Sequence, residues 1–356
     1  MATNSSNPDA LVSVNTKPQY NIYFGDDILA HQYRDFMLAK HYTEAVIVAD
    51  SNTAELFGAQ VLEATQNCAL RATLVQFPAG ELNKTLETVN GLLAEFAKFG
   101  LTRSGVVIAV GGGVVGDTAG FAASIWLRGV SVIQMPTTLL AMVDSSIGGK
   151  TGVDLPCGKN LVGAFHHPDA VFSWMPSLQS LKPQDVRNGF AEVLKTAVIG
   201  DAALFARLVA KPDDTRDQDV VMRCAQIKAE IVAQDDHEHG LRKLLNLGHT
   251  AGHALEQLSH FEIQHGEAVG TGMILVAEAG VRAGITEPAF FETLKRVLVS
   301  RGYAAQSPYP LAQMLAVMAG DKKRAGAKIT IVVPKQAGEC ILHTIPIAEL
   351  AAFWGN

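Results

Sequence analysis

Four short apolar runs, at residues 45–49, 70–77, 105–110 and 130–135, punctuate the first half of the chain, and the next strand-like run of this kind lies far downstream at 328–333. AVIVA (45–49) and GVVIAV (105–110) are too short for buried helices and rich in β-branched residues, so they read as strands covered on both faces. Residues 20–24 add a further short strand. Between the second and third runs, Leu82, Leu86, Val89, Leu93 and Phe96 recur at helical spacing and stop at Gly100, which predicts a helix with a glycine C-cap. Strands alternating with helices imply a parallel α/β sheet. The pattern changes between Ser177 and Pro183. Helical periodicity takes over at 186–197, 221–232, 267–283, 290–301 and 311–318, and a closing helix is expected at 347–353. A length of 356 residues suits two domains. We expect an α/β domain over 1–178, with 1–18 a loose tail, and a mostly α-helical domain over 179–356.

Composition narrows the partners. With 29 Lys+Arg against 35 Asp+Glu, a general nucleic-acid or anionic-membrane surface is disfavoured, and any anion site must be local. No apolar stretch reaches the roughly 18 residues of a membrane span. The N-terminal MATNSSNPDA lacks the pattern of a secretory signal. Cys68, Cys157, Cys224 and Cys340 are widely separated and form no CxxC pair, which fits a reducing, cytoplasmic setting.

The third strand runs directly into GGGVVGD, where Gly111, Gly113 and Gly116 satisfy GxGxxG. Such a turn lets backbone approach a pyrophosphate at a helix N-terminus. The usual fingerprint occupies the first strand–helix turn and has an acid at the end of the next strand. Here the next strand ends in Pro136-Thr137-Thr138, so Asp50 is the available ribose ligand, and a variant Rossmann-like fold is implied. A plain helix cap is the competing role for Asp50. Further on, the glycine-rich stretch 142–162 carries Asp144, Lys150, Lys159 and Asn160. Its GGKT fails the Walker pattern, but two lysines there suit an anionic small molecule, with Arg128 near enough in sequence to add to them.

The densest chemistry lies in NLGHTAGHALEQLSHFEIQHGEAVG (246–270). It holds four of eleven histidines, with His249 and His253 one helical turn apart. A metal site needs a third ligand. Glu192, on the apolar side of the 186–197 helix, is the candidate, and an ion pair with Lys195 is the alternative.

GGGVVGD, LRG, PTTLLAMVDSSIGGKTGV, GKN, AEVLK, NLGHTAGH, HGEAV and DKK stand in this order, across nearly all of the chain but the tail. Together they resemble the 3-dehydroquinate synthase family of the sugar-phosphate cyclase superfamily. The resemblance implies an NAD-binding first domain, a divalent metal (zinc or cobalt) in the second, and a homodimer in which Arg128 reaches a neighbouring subunit. It implies conversion of 3-deoxy-D-arabino-heptulosonate 7-phosphate (DAHP) to 3-dehydroquinate and phosphate in the shikimate pathway. The steps are transient oxidation by NAD, phosphate elimination, re-reduction and an intramolecular aldol closure. Carried over by motif, Glu192, His249 and His265 are the metal ligands, and His253 moves from metal to substrate. Asp50, Asn52, Glu81, Lys84, Gly113, Gly116, Asp117, Thr137, Thr138, Asp144 and Lys159 fall on the NAD side, Asp144 also towards substrate. Arg128, Lys150, Asn160, Lys195, Lys228, Arg242, Asn246, His253 and Lys322 are the expected substrate and catalytic contacts. Departures at Thr196-Ala197 and at 261–264 leave a related cyclase such as 2-deoxy-scyllo-inosose synthase open, and the two-domain plan also resembles that of a metal-dependent polyol dehydrogenase.

Overall fold

The computed structural model describes residues 10–320, 324–325 and 327–355. The chain divides into two compact units after Leu181.

The first unit is built on strands β1 (Leu11–Val14), β2 (Tyr20–Gly25), β3 (Glu44–Asp50), β4 (Arg71–Phe77), β5 (Val106–Gly111), β6 (Ser131–Pro136), β7 (Lys150–Leu155), β8 (Gly158–Phe165) and β9 (Ala170–Trp174). Seven of them form one sheet in the order β1-β2-β9-β6-β5-β3-β4, parallel except for the edge pair β1/β2. Helices α1 (Arg34–Lys40), α2 (Ser51–Thr53), α3 (Ala59–Gln66), α4 (Leu86–Phe99) and α5 (Gly113–Ile125) connect them. The apolar runs are uninterrupted because both faces are covered. Ala45, Ile47 and Ala49 of β3 pack with Met37 of α1 and Val61 of α3. Val46 and Val48 turn the other way, onto Val89, Leu92 and Phe96 of α4 and Val115 of α5. Each Val, Ile, Leu, Met or Phe side chain among them contributes about 1.5–3 kcal/mol by leaving water. From β3 the chain steps outward to β4, returns to β5 on the other side of β3, then continues to β6. The order therefore reverses between β3 and β5, and their carboxyl ends flank the crevice where open α/β sheets bind ligands.

Several expectations need correcting. Leu11–Val14, expected in the loose tail, pairs with β2 because Val12 and Val14 alternate inward; residues 1–9 of that tail lie outside the described residues. The glycine-rich stretch expected as a loop is largely the β7/β8 hairpin, with Thr151 and Val153 buried. Glycine frequency masked this period-2 burial. Leu82 does not join the face of α4. It sits in a 3₁₀ turn at Glu81–Asn83, is 91% exposed, and leaves Val89, Leu92 and Phe96 as the buried stripe. Gly100 closes the helix at φ 75°, as the sequence implies, and the N-cap is Thr85, whose Oγ1 accepts Thr88 N–H at 3.2 Å.

The second unit holds α6 (Pro183–Gly200), α7 (Ala202–Ala210), α8 (Gln218–Gln234), α9 (His249–Leu258), α10 (His265–Arg282), α11 (Pro288–Ser300), α12 (Leu311–Ala319) and α13 (Leu350–Gly355). A small antiparallel sheet, β10 (Arg324–Ala325), β11 (Lys328–Gln336) and β12 (Glu339–Pro346), accompanies them. β12 and α7 are further elements beyond those expected, α7 burying Leu204, Phe205 and Leu208 on one face. Residues 189–199 of α6 are all buried, with Glu192 and Lys195 the charged members. Helices α9 and α10 cross closely. A Cβ on Gly272 would lie 2.1 Å from the Gly248 carbonyl oxygen, and one on Gly248 would lie 2.6 Å from that of Val269. The glycines of NLGHTAGH are there for this contact.

Candidate functional site

In the first unit the candidate residues gather at the switch point. Ala49 pairs with Val110, which brings Asp50 beside Gly111. Asp50 Oδ1 accepts Asn52 N–H at 3.0 Å and Thr53 N–H at 2.8 Å, and Thr53 Oγ1 in turn accepts Asp50 N–H at 3.1 Å, a reciprocal capping box. The capping role is thus present. Gly113 opens α5, offering free N–H groups at the mouth. Gly116 serves packing: a Cβ there would meet Gln134 Oε1 at 2.7 Å, and Gln134 Nε2 donates to the Gly116 carbonyl at 3.0 Å. Thr137 N–H donates to the Gly111 carbonyl at 3.0 Å, and Thr138 Oγ1 accepts Ala141 N–H at 3.2 Å, starting the π-helical turn that carries half-buried Asp144.

Lys84 ties this region to the hairpin. The residue is 4% exposed, and its ammonium donates to Asp117 Oδ2 and Asn160 Oδ1, each at 2.6 Å. Burial alone would lower the Lys84 pKa, but the carboxylates of Asp117, Glu81 and Asp154 together outweigh it and hold the ammonium above its ordinary range. Lys159 pairs with Glu81 at 3.4 Å. Asn160 is held at φ 53°, with its N–H donated to Asp154 Oδ1 at 2.7 Å. The sequence reading did not single out Asp154. Burial raises its pKa. Lys150 opens β7 and is exposed, and Arg128 is exposed in a turn where both it and Leu127 adopt positive φ.

In the second unit, Glu192 from α6, His249 from the start of α9 and His265 from the start of α10 present one donor atom each within 4.8 Å of one another. His265 Nε2 lies 3.5 Å from Glu192 Oε1. His249 Nδ1 lies 3.1 Å from the Leu247 carbonyl, which leaves Nε2 as the donor to the cluster. His265 Nδ1 lies 3.4 Å from Glu256 Oε2. Two imidazoles and a carboxylate, each imidazole backed by an acceptor, are a donor set suited to a divalent ion such as zinc. Desolvation opposes a charge on His265, but the carboxylates of Glu192 and Glu256 overcome it and raise its pKa to about 10. His253 is half-buried with its ring centroid 5.4 Å from that of His249 and 6.5 Å from that of His265, while His260 is exposed at the far end of α9. The alternative partner of Glu192 is present too: Lys195, one turn on, pairs with Glu192 in the core.

Lys195, Lys228 and Arg242 are 1%, 6% and 2% exposed, and charges buried this far are held by opposite charge or hydrogen bonds. Arg242 Nη1 donates to the Asp236 carbonyl and lies 3.7 Å from its carboxylate. Asp235 organises the approach by accepting the N–H groups of His239, Gly240 and Arg242 at 2.8, 2.7 and 3.0 Å. Asn246 Nδ2 donates to Glu238. Lys322 lies outside the described residues. Glu256, Asp235, Asp236 and Glu238 were not anticipated as site residues. The acidic run before Arg242 was the available signal for the last three.

This plan, a glycine-turned parallel sheet followed by a helical unit, is shared with solved sugar-phosphate cyclases. The chain shares its fold with 2-deoxy-scyllo-inosose synthase (TM-score 0.82, 24% identity, 96% of this chain and 98% of that one). It also matches 2-epi-5-epi-valiolone synthase from Streptomyces hygroscopicus subsp. jinggangensis 5008, solved with NAD⁺ and Zn²⁺ bound (TM-score 0.85, 28% identity, 94% and 95% covered). Within that class, the family models for the 3-dehydroquinate synthase N-terminal and C-terminal domains match residues 74–188 and 189–324. The 3-dehydroquinate synthase of Alkaliphilus metalliredigens is 38% identical over 345 residues, covering 94% of this chain and 95% of the relative. The chain belongs to the 3-dehydroquinate synthase family and is an enzyme of the lyase class.

Proposed function

We propose that the chain converts DAHP to 3-dehydroquinate and phosphate, the shikimate-pathway step, with NAD held by the first unit and a zinc or cobalt ion held by Glu192, His249 and His265. The observation that carries this is the convergence of those three donors, with buried Lys195 paired to Glu192. The NAD⁺ and Zn²⁺ in the 28%-identical valiolone synthase support both cofactors.

When bound, NAD would supply hydride acceptance and return, and the metal held by Glu192, His249 and His265 would supply Lewis acidity toward the oxygen of the carbon that is oxidised. The chain's own residues hold the substrate. Arg242 suits the carboxylate, because its planar fork matches two oxygens. Lys195 and Lys228 suit phosphate and hydroxyl oxygens as point charges, and burial strengthens their attraction by lowering the local dielectric. Fixing phosphate and carboxylate in one conformer brings the reacting carbons together, so proximity supplies much of the acceleration. His253 and Asn246 complete the hydroxyl contacts. Asp50, Asn52, Glu81, Gly113, Asp117, Thr137, Thr138, Asp144 and Lys159 line the NAD side, while Lys84 and Gly116 support it from behind.

We further assign the working form as a cytoplasmic homodimer with Arg128 at the subunit contact. The exposed Arg128 turn and the four unpaired cysteines support this. No helix among the described residues is long and apolar enough to cross a membrane.

The test is phosphate release from DAHP with catalytic NAD and added zinc or cobalt, with and without a chelator. Chelator-sensitive release with no net NADH is expected. Net NADH accumulation from a polyol, or release from glucose 6-phosphate in place of DAHP, would reject the assignment.

A further inference from the structure

Glu256 has no part in the donor set, yet it is a carboxylate in the core, 2% exposed. It lies seven residues after His249 on α9, two turns along the same face. That places it against the first residue of α10. Its Oε2 is 3.4 Å from His265 Nδ1, while the opposite nitrogen of the same ring, Nε2, is 3.5 Å from Glu192 Oε1. One imidazole is therefore bracketed by two carboxylates from different helices, one inside the donor cluster and one behind it. His249 is backed differently, by the neutral Leu247 carbonyl at 3.1 Å.

We infer that Glu256 is a positioning residue for the metal centre: it accepts the Nδ1 proton of His265, which fixes the tautomer that turns the Nε2 lone pair toward Glu192 and His249 and strengthens that donor. The inference rests on the proposed ligand reading. Its physical basis is that a carboxylate hydrogen-bonded to the outer nitrogen of a ligating imidazole orients the ring and increases its basicity, and that removing such a partner lowers metal affinity by about 10–100-fold. The two histidines are then unequal donors, with His265 the stronger. The competing role for Glu256 is a purely structural one, a buried hydrogen bond tying α9 to α10. That role would change stability and leave the metal's electronic environment alone.

The experiment titrates cobalt(II) into the metal-free full-length protein against a competing chelator, reading affinity and the visible d–d absorption. It compares wild type with Glu256→Ala, Glu256→Gln and His265→Ala, and follows thermal unfolding of each metal-free protein. Glu256→Ala is expected to bind cobalt about 10–100-fold more weakly, with a displaced d–d spectrum. Glu256→Gln keeps an acceptor of the same shape without the charge, so it is expected to fall between wild type and Ala while folding normally. This keeps the test decisive if Glu256→Ala unfolds. Wild-type cobalt affinity and spectrum in Glu256→Gln, alongside loss of binding in His265→Ala, would overturn the role of Glu256 and leave the ligand set standing. Cobalt binding that His265→Ala does not weaken would overturn the ligand reading itself, and the role of Glu256 with it.

Discussion

Lys84 and Asp117 form an ion pair at 2.6 Å, with the lysine side chain 5% exposed and the aspartate 19%. The same ammonium reaches Asn160 on the hairpin, so one buried cation joins the 3₁₀ turn, helix α5 and strand β8. Lys84→Met removes the cation and strands Asp117. Breaking a pair this sheltered should cost on the order of 3 kcal/mol, seen as a lower urea midpoint, and NAD affinity should fall because Asp117 and Asn160 lose their common anchor. Unchanged NAD affinity would remove Lys84 from the cofactor side.

The same pair predicts an alkaline signature. The folded-state pKa of Lys84 is raised above its ordinary 10.5, so its stabilisation is fully present below that value and is lost as pH rises through the folded pKa. The stability difference between wild type and Lys84→Met should be flat from neutral pH to about 10 and shrink above it. A difference that grows with rising pH would contradict the assignment.

Removing a metal donor should be far more severe than removing a neighbour. Glu192→Gln retains shape but loses the anionic ligand and leaves the buried Lys195 without its partner. Activity should fall by at least about 1,000-fold, roughly 4 kcal/mol of transition-state stabilisation, with metal content measured by elemental analysis falling in parallel. Full metal occupancy with lost activity would shift Glu192 from ligand to substrate contact.

What the sequence disclosed and what it hid follow from the physics of each segment. Strands β3 and β5 were legible because both faces are buried, so 45–49 and 106–111 are unbroken apolar runs. The hairpin was not, because Gly152, Gly158 and Gly163 speak for a loop more loudly than two inward residues speak for a strand. Spacing alone favoured His249 and His253 as joint ligands. Three-dimensional proximity instead groups His249 with His265, brought in by the close crossing of α9 and α10 that only the fold reveals. Glu256 was invisible for the same reason: nothing local marks a glutamate on an apolar face as the partner of a histidine on the next helix.

Asp235 gives a kinetic prediction. Burial opposes its charge, but three backbone N–H donors outweigh that and hold its pKa below the ordinary carboxylate value. Asp235→Ala frees those N–H groups and loosens the turn that delivers Arg242. If Arg242 binds the substrate carboxylate, KM for DAHP should rise about tenfold with a smaller change in kcat, the pattern expected when ground-state and transition-state binding are lost together. An equal fall in kcat and kcat/KM would mean that the loop acts only in the transition state.

Asp50 separates capping from cofactor binding. Its Oδ1 is committed to the start of α2, yet its place beside Gly111 at the switch point is where an α/β sheet holds a ribose. Asparagine caps helices as well as aspartate does, whereas alanine costs about 1 kcal/mol. Asp50→Asn should therefore keep wild-type stability while weakening NAD binding, about tenfold, because the amide offers the ribose hydroxyls one neutral acceptor in place of a charged one. Asp50→Ala should lose both. Calorimetric NAD titration paired with thermal unfolding distinguishes the cases. If Asp50→Asn binds NAD as tightly as wild type, the residue is a cap alone and the ribose contact lies elsewhere in the crevice.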